Sequence, residues 1–250
     1  MSIIVYDSNN WVRVALEKDF TGLGLRLCWS EAMKDDGNVR IFVFDGRGGN
    51  NIRRTIYPNY KMKRKFPTDN FFENLSFFKE LLQNAPKSVA VAEKEGFEGD
   101  DVISSICKKF SPNKVVIMST DKDLTQIPNA ECPMANQTFC EKKYVRLYKT
   151  LVGDPSDNIT GVSGFGKGLW EKLTDDERDV LIDWFKNSSE ENAIRCSTIN
   201  EKAWNLIRKH DEQQLNAMWV ITGFFDVDVE LRWGDGNSQI SEEKLKDLLL

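Results

Sequence analysis

The sequence has little of the material from which histidine and cysteine sites are built. His210 is the only histidine among the 250 residues, which excludes a histidine-based triad. The five cysteines are odd in number and show no CxxC spacing, so neither a disulfide framework nor a zinc site is expected. This pattern is typical of reduced, structural thiols, and any proton transfer must depend on other groups.

Long apolar runs are also missing. No stretch approaches the roughly 20 apolar residues that a membrane-spanning helix needs. The chain begins directly with a strand-like run at residues 2–6, so we expect no signal peptide. We therefore expect a protein that acts in the cytoplasm and does not associate with a membrane.

The net charge of −5 conceals an uneven distribution of charge. Between residues 46 and 67 there are seven lysines or arginines and no acid. The net charge does not show how the charges are distributed over the surface of a protein. The basic segment therefore predicts a surface for a polyanion, and we expect it to be exposed and partly mobile.

Strand-like and helical patterns alternate through the first half of the chain. Four runs are apolar and strand-like: residues 2–6, 39–44, 88–92 and 114–118. Because segments with helical character separate them, the fold class is predicted to be α/β, with a central, mainly parallel sheet flanked by helices. We expect residues 1–142 to form this core, including the basic segment at 46–70.

The second half of the chain changes in character. Residues 143–250 are predicted to form a mostly helical region, interrupted by a turn-rich stretch at 153–168. The alternating sequence FFDVDVELR at 224–232 predicts a late strand. Residues 241–250 fit a capped amphipathic helix.

Carboxylates collect where the predicted strands end and helices begin. The nine candidates are Asp7, Asp45, Glu98, Asp100, Asp101, Asp121, Asp123, Asp154 and Asp157. The carboxyl ends of parallel strands meet at one edge of a sheet, and so many acids there would repel one another without cations. Oxygen ligands without histidine or thiolate favour Mg²⁺ or Mn²⁺. For residues 98–101 a simpler alternative stays open, because acids are also favoured at a helix N-terminus.

Seven short segments occur in the order found in one known superfamily. They are Asp7-Ser8-Asn9-Asn10, Phe44-Asp45-Gly46, Tyr57-Pro58-Asn59-Tyr60-Lys61 with Arg53 and Arg64, Glu98-Gly99-Asp100-Asp101, Ser119-Thr120-Asp121-Lys122-Asp123-Leu124, Leu151-Val152-Gly153-Asp154-Pro155-Ser156-Asp157-Asn158-Ile159, and Gly161-Val162-Ser163-Gly164-Phe165-Gly166. Together they resemble the 5′ nuclease superfamily of flap endonucleases, polymerase-associated 5′ nucleases, and phage exonucleases and RNase H-type enzymes. The short phage members are the most similar, which implies a phage-encoded protein acting in the host cytoplasm.

The resemblance implies a PIN-like core, a helix-hairpin-helix at about residues 153–172, and metal-dependent hydrolysis of phosphodiester bonds. The substrates would be duplex, nicked, flapped or RNA-primed DNA near a 5′ end, in replication or repair. Two or more Mg²⁺ or Mn²⁺ ions would act together. The first ion would be held by Asp7, Asp45, Glu98, Asp100 and Asp101, and the second by Asp121, Asp123, Asp154 and Asp157.

The basic segment corresponds to an arch or clamp over the active site in the superfamily. Lys61 and Arg64 would act on the scissile phosphate. The resemblance implies further DNA contacts in this segment by Arg53, Arg54, Tyr60, Lys63 and Lys65. Tyr60 has two interpretations, since its ring could stack on a terminal base or pack against the base of the arch.

The glycine-rich stretch corresponds to the hairpin that binds duplex DNA and, in some relatives, K⁺. The residues implied are Gly161, Ser163, Gly164, Gly166 and Lys167. Glycines let backbone N–H groups approach a phosphate closely. The sequence departs from the usual pattern because Lys167 follows Gly166 directly and Gly168-Leu169-Trp170 replaces small residues.

The expected partner is DNA with 5′ ends, nicks or flaps. The resemblance also implies RNA–DNA hybrids and replication proteins as partners. We expect a monomer. Two alternatives stay open, a PIN-like ribonuclease and a non-catalytic relative that binds DNA structures. The sequence does not decide between exonuclease and flap endonuclease activity.

Overall fold

The computed structural model describes residues 2–17, 24–65, 67–111, 114–135 and 140–236. Among these residues, the strands are β1 (Ile3–Asp7), β2 (Val39–Val43), β3 (Val89–Ala92), β4 (Val115–Met118), β5 (Ala130–Glu131) and β6 (Arg232–Trp233). The helices are α1 (Ser8–Glu17), α2 (Gly24–Ala32), α3 (Asn51–Ile56), α4 (Asp69–Leu81), α5 (Gly99–Lys109), α6 (Val145–Leu151), α7 (Lys167–Trp170), α8 (Asp175–Lys186), α9 (Glu190–Cys196), α10 (Glu201–Lys209) and α11 (Glu212–Ile221).

The described residues form a six-stranded sheet in the order β5-β4-β1-β2-β3-β6. The first five strands run parallel to their neighbours, and β6 pairs antiparallel with β3. Side chains on both faces of the central strands are buried, among them Val5, Ile41 and Phe42. Burial on both faces explains why these strands are continuous apolar runs. The predicted α/β class with a mainly parallel sheet and a helical C-terminal region is confirmed.

The late strand predicted at 224–232 is wrong for most of its length. The Phe225 N–H donates to Asp101 Oδ1 at 2.9 Å, and the Val227 N–H donates to Ser105 Oγ at 3.0 Å. Since these amides bond to side chains of α5, they are not available to a strand ladder. Only Arg232 and Trp233 join the sheet. The helix predicted at 241–250 lies outside the described residues.

The chain forms two compact units. The first contains the described residues of Met1–Gly49, Phe66–Asn136 and Phe225–Leu250, and the second those of Asn50–Lys65 and Gln137–Phe224. Most of the basic segment thus belongs to the same unit as α6–α11. The domain boundaries expected from the sequence stay a prediction.

The basic segment contains regular structure, since α3 lies within it. Tyr57 and Tyr60 are buried in the core of the second unit, where Leu147 and Leu151 also pack. The two tyrosines stand three positions apart, so they point to the same side of the turn and hold it against this core. Within the part of the chain that the structure describes, no helix combines the length and apolar character needed to cross a membrane.

Candidate functional site

Asp7 lies at the carboxyl end of β1, in the middle of the sheet. Its carboxylate accepts hydrogen bonds from the Asn10 N–H at 3.1 Å and from Ser119 Oγ at 2.8 Å. Burial, followed by the nearby charges of Asp45 and Asp121, nevertheless raises the pKa of Asp7 to about 7. Burial is the larger cause of this shift, and the neighbouring acids add to it.

Asp45 follows β2 and is held by both neighbouring elements. Asn9 Nδ2 donates to Asp45 Oδ2 at 2.8 Å, and the Gly99 N–H donates to Asp45 Oδ1 at 2.7 Å. A β-carbon on residue 99 would lie 3.1 Å from Asp45 Oδ1, so glycine permits this close approach. The contact links the end of β2 to the start of α5.

Glu98 and Asp101 form a reciprocal capping box at the start of α5. The Glu98 N–H donates to Asp101 Oδ2 at 3.3 Å, and the Phe225 N–H donates to the other oxygen. Asp101 is fully buried, and both of its oxygens accept backbone hydrogen bonds. Helix capping is therefore an observed role of Asp101, while metal binding by Glu98, Asp100 and Asp101 stays a prediction.

Asp121 and Asp123 follow β4 in a turn that polar side chains organise. Ser119 Oγ accepts from the Asp121 N–H at 3.0 Å, and Asp121 Oδ1 accepts from the Asp123 N–H at 2.8 Å. Asn10 Oδ1 accepts from the Thr120 N–H at 3.0 Å, which joins this turn to α1. The roles of Asn9, Asn10, Ser119 and Thr120 were not predicted, although each of them lies within three positions of an acid in the quoted segments.

Asp154 and Asp157 lie in the second unit beside Lys149, the last basic residue of α6. Lys149 Nζ lies 2.5 Å from Asp154 and 3.9 Å from Asp157. Burial raises the pKa of Asp154, but Lys149 and Ser156 outweigh it, and the pKa is lowered overall. Sequence reasoning missed Lys149, because a lysine in the last turn of a helix also fits a simple interaction with the helix dipole.

Two residues expected to contact DNA serve the core of the second unit. The Arg53 guanidinium is buried and donates to the carbonyl oxygens of Ile221 at 3.2 Å and Gly223 at 3.1 Å. The Tyr60 ring is only 3% exposed, so the structure favours the packing alternative over base stacking. Both side chains are buried, and their contact with DNA stays a prediction.

The remaining basic residues of the segment reach solvent. The side chains of Lys63, Arg64 and Lys65 are exposed, while Arg54 and Lys61 are partly buried. Arg54 Nε donates to the Tyr60 carbonyl at 3.1 Å, and Lys61 Nζ lies 4.9 Å from the centre of the Tyr60 ring. The buried Tyr60 thus contacts both Arg54 and Lys61.

The glycine-rich hairpin between α6 and α7 requires glycine where two parts of its backbone lie against each other. Gly161 has a φ of +69°, and a β-carbon there would lie 2.6 Å from the Gly153 nitrogen. Gly161 is buried, whereas Ser163, Gly164, Gly166 and Lys167 are exposed, and DNA contact by all five stays a prediction. Lys167 lies 3.6 Å from Glu171 in an exposed pair.

A mainly parallel sheet that places acids after four adjacent strands, together with helices around a glycine hairpin, defines the 5′ nuclease fold class. Residues 25–152, just over half of the chain, match the model of the family described as "5'-3' exonuclease, N-terminal resolvase-like domain". The chain belongs to this family.

Known proteins resemble both the sequence and the fold. The 5'-3' exonuclease of Aquifex aeolicus is 32% identical over 158 residues, which cover 57% of this chain and 54% of the relative. The thermostable DNA polymerase I of Thermus thermophilus is 32% identical over 158 residues, 57% of this chain and 19% of the polymerase. The chain thus spans about half the length of the first relative and about a fifth of the second.

Among solved structures, the T5 D15 protein co-crystallised with metal ions has a TM-score of 0.62 at 19% identity, covering 89% of both chains. At this level of identity, the likeness supports the fold alone.

Proposed function

We propose that the chain is a divalent-metal-dependent 5′ nuclease that cleaves phosphodiester bonds near the 5′ ends of duplex, nicked, flapped or RNA-primed DNA. The observation that carries the proposal is the placement of Asp7, Asp45 and Asp121 at the carboxyl ends of three adjacent parallel strands, where burial of Asp7 and the charges of the other two raise its pKa. Membership of the 5'-3' exonuclease family supports the same reaction. A role in replication or repair follows from this substrate class.

The residues at the sheet edge fit hard divalent cations. Their donors are carboxylate oxygens, and a cation beside Asp7 would favour its charged form against the burial and the neighbouring acids that raise its pKa. Two bound Mg²⁺ or Mn²⁺ ions would supply an activated water and neutralise the scissile phosphate. The proposed ligands of the first ion are Asp7, Asp45, Glu98, Asp100 and Asp101. The proposed ligands of the second ion are Asp121, Asp123, Asp154 and Asp157.

The cationic residues would act on the DNA itself. Lys61 and Arg64 would contact the scissile phosphate and offset the charge that develops during cleavage. Arg54, Lys63 and Lys65 would contact neighbouring phosphates, and the exposed backbone of residues 163–167 would bind the duplex. Such contacts recognise DNA structure and not base sequence. K⁺ at this hairpin stays a prediction.

A panel of 5′-labelled substrates tests the proposal, comprising a nicked duplex, a 5′ flap, a blunt duplex and an RNA–DNA hybrid. We expect release of mononucleotides or short oligonucleotides that requires Mg²⁺ or Mn²⁺ and stops in EDTA. Binding without cleavage in either metal would favour a non-catalytic relative. Cleavage of single-stranded RNA in preference to DNA would favour a PIN-like ribonuclease.

A further inference from the structure

The basic turn at residues 57–65 is joined directly to the acidic loop at 154–159, and both lie in the second unit. The Lys61 N–H donates to the Asp157 carbonyl oxygen at 3.0 Å. The Lys63 N–H donates to Asn158 Oδ1 at 2.9 Å. The segment with the proposed catalytic cations is therefore bonded to the loop that carries two of the proposed ligands.

The backbone at this junction is unusual on both sides. Lys61 has a φ of +52° and Asn158 a φ of +60°. Within the described residues, the third non-glycine residue with positive φ is Asn129, at +63°. Asparagine tolerates the left-handed region, whereas lysine is disfavoured there and persists only where its surroundings impose it.

Other contacts shape the turn but do not replace the bond from Asn158. The Met62 N–H donates to the Asn59 carbonyl at 3.2 Å, and the Arg64 N–H to the Lys61 carbonyl at 3.3 Å, so both bonds are internal. Tyr57 Oη lies 3.3 Å from Thr160 Oγ1 at the opposite end of the turn. Among the bonds described here, those of Lys61 and Lys63 fix the cationic end of the turn.

We propose that Asn158 is a positioning residue for Lys61. Its left-handed conformation directs its amide oxygen at the Lys63 N–H, and this hydrogen bond holds the backbone of the turn. The Lys61 ammonium thereby keeps a fixed position relative to the acidic loop. This inference rests on the proposed nuclease function and adds a residue to which no role has been assigned.

Asn158→Gly tests the proposal, because glycine adopts the positive φ readily and removes the side chain that carries the amide oxygen. We expect single-turnover cleavage in saturating Mg²⁺ to slow by about 10- to 100-fold, the effect of a misplaced catalytic group. DNA affinity in Ca²⁺ and the melting temperature should change little. The matched control is Asn129→Gly, an exposed asparagine with the same backbone conformation, which should leave cleavage unchanged.

A double-mutant cycle shows whether Asn158 acts through Lys61. If it does, Asn158→Gly should slow the Lys61→Ala protein no further, because the group it positions is already absent. Independent, multiplicative losses would overturn the proposal. A loss of stability that accounts for the whole loss of rate would also overturn it.

Amide hydrogen exchange gives a readout that does not need activity. Asn158→Gly should speed exchange at the amides of Lys61 and Lys63 without changing that of Arg53, and unchanged exchange at the first two would overturn the proposal. Should the wild-type protein cleave no substrate of the panel, the proposed function fails while this measurement still decides whether Asn158 holds the turn. Slow cleavage by Lys61→Ala together with normal cleavage by Asn158→Gly would leave the function standing and reject the positioning role.

Discussion

At the scale of single residues, aspartate occurs in two different environments in the first unit. Asp7 has donors for its carboxylate but also faces the charges of Asp45 and Asp121, which contribute to its raised pKa. Asp101 is fully buried and gives each oxygen to a backbone N–H. Both carboxylates accept two hydrogen bonds, but Asp7 also faces two other acids.

This contrast predicts opposite effects of removing each charge. In EDTA, Asp7→Asn should raise the melting temperature, because it removes a charge that burial and, to a lesser extent, the neighbouring acids disfavour. Asp101→Asn should lower stability by about 1–3 kcal/mol, since one of two backbone donors loses its acceptor. Thermal melts of both variants in EDTA check the signs, and a stabilising Asp101→Asn would contradict the capping role.

Lys149 offers a second residue-scale prediction. In EDTA, Lys149→Met should cost about 1.5–3 kcal/mol, the range for a hydrogen bond to a charged group, because Asp154 and Asp157 lose their shared cation. Mg²⁺ should restore most of this loss by taking the place of the ammonium. Chemical denaturation with and without Mg²⁺ measures both effects. Lys143→Met is the control, since its partner Asp179 is exposed and no comparable change is expected.

At the scale of elements, the connection from α2 to β2 ends in a buried arginine. Arg40 donates to both carboxylate oxygens of Asp36, at 2.9 and 2.6 Å, and is only 1% exposed. Arg40 holds the pKa of Asp36 well below its ordinary value. A depressed folded-state pKa gives stability that is present above the unfolded-state value and is lost as the pH falls towards the folded-state value.

Asp36→Asn should therefore destabilise the protein at neutral pH and cease to do so in acid. The difference in unfolding free energy between wild type and variant should shrink as the pH falls from about 5 to about 2, where wild-type Asp36 loses its advantage. Urea titrations at several pH values check this trend. A difference that is constant across that range would mean that the carboxylate charge is not what holds Arg40.

The elements also show which features a sequence can reveal. The apolar strands and the acids that follow them were predicted, because burial on both faces and strand-end placement leave local signals. The buried position of Arg53 was not predicted. The Ile221 carbonyl to which it donates is 168 positions away, and no local sequence pattern indicates that contact. The segment after α11 alternates like a strand, but its amides bond to Asp101 and Ser105 of α5, and that competition is likewise nonlocal.

At the scale of the whole molecule, the net charge of −5 includes two clusters of opposite sign, the acids at the sheet edge and the cations of the exposed basic turn. Basic side chains attract a polyanion, and clustered carboxylates attract cations. Mg²⁺ at about ten times its Kd should therefore stabilise the protein by roughly 1.4 kcal/mol, as mass action requires for a ligand bound by the folded state. An unchanged melting temperature at constant ionic strength would count against a metal site.

Asp123→Asn separates binding from chemistry in the complete protein. The substitution keeps the volume of the side chain and removes its charge, so the fold should survive. Cleavage should fall by several orders of magnitude if Asp123 holds the second ion, because in-line displacement needs both ions. DNA binding in Ca²⁺ should hold or tighten, since one negative charge near the phosphates is gone. Anisotropy beside single-turnover cleavage decides the outcome: cleavage near the wild-type rate would remove Asp123 from the ligand set, and a variant that neither binds nor cuts would indicate a structural carboxylate.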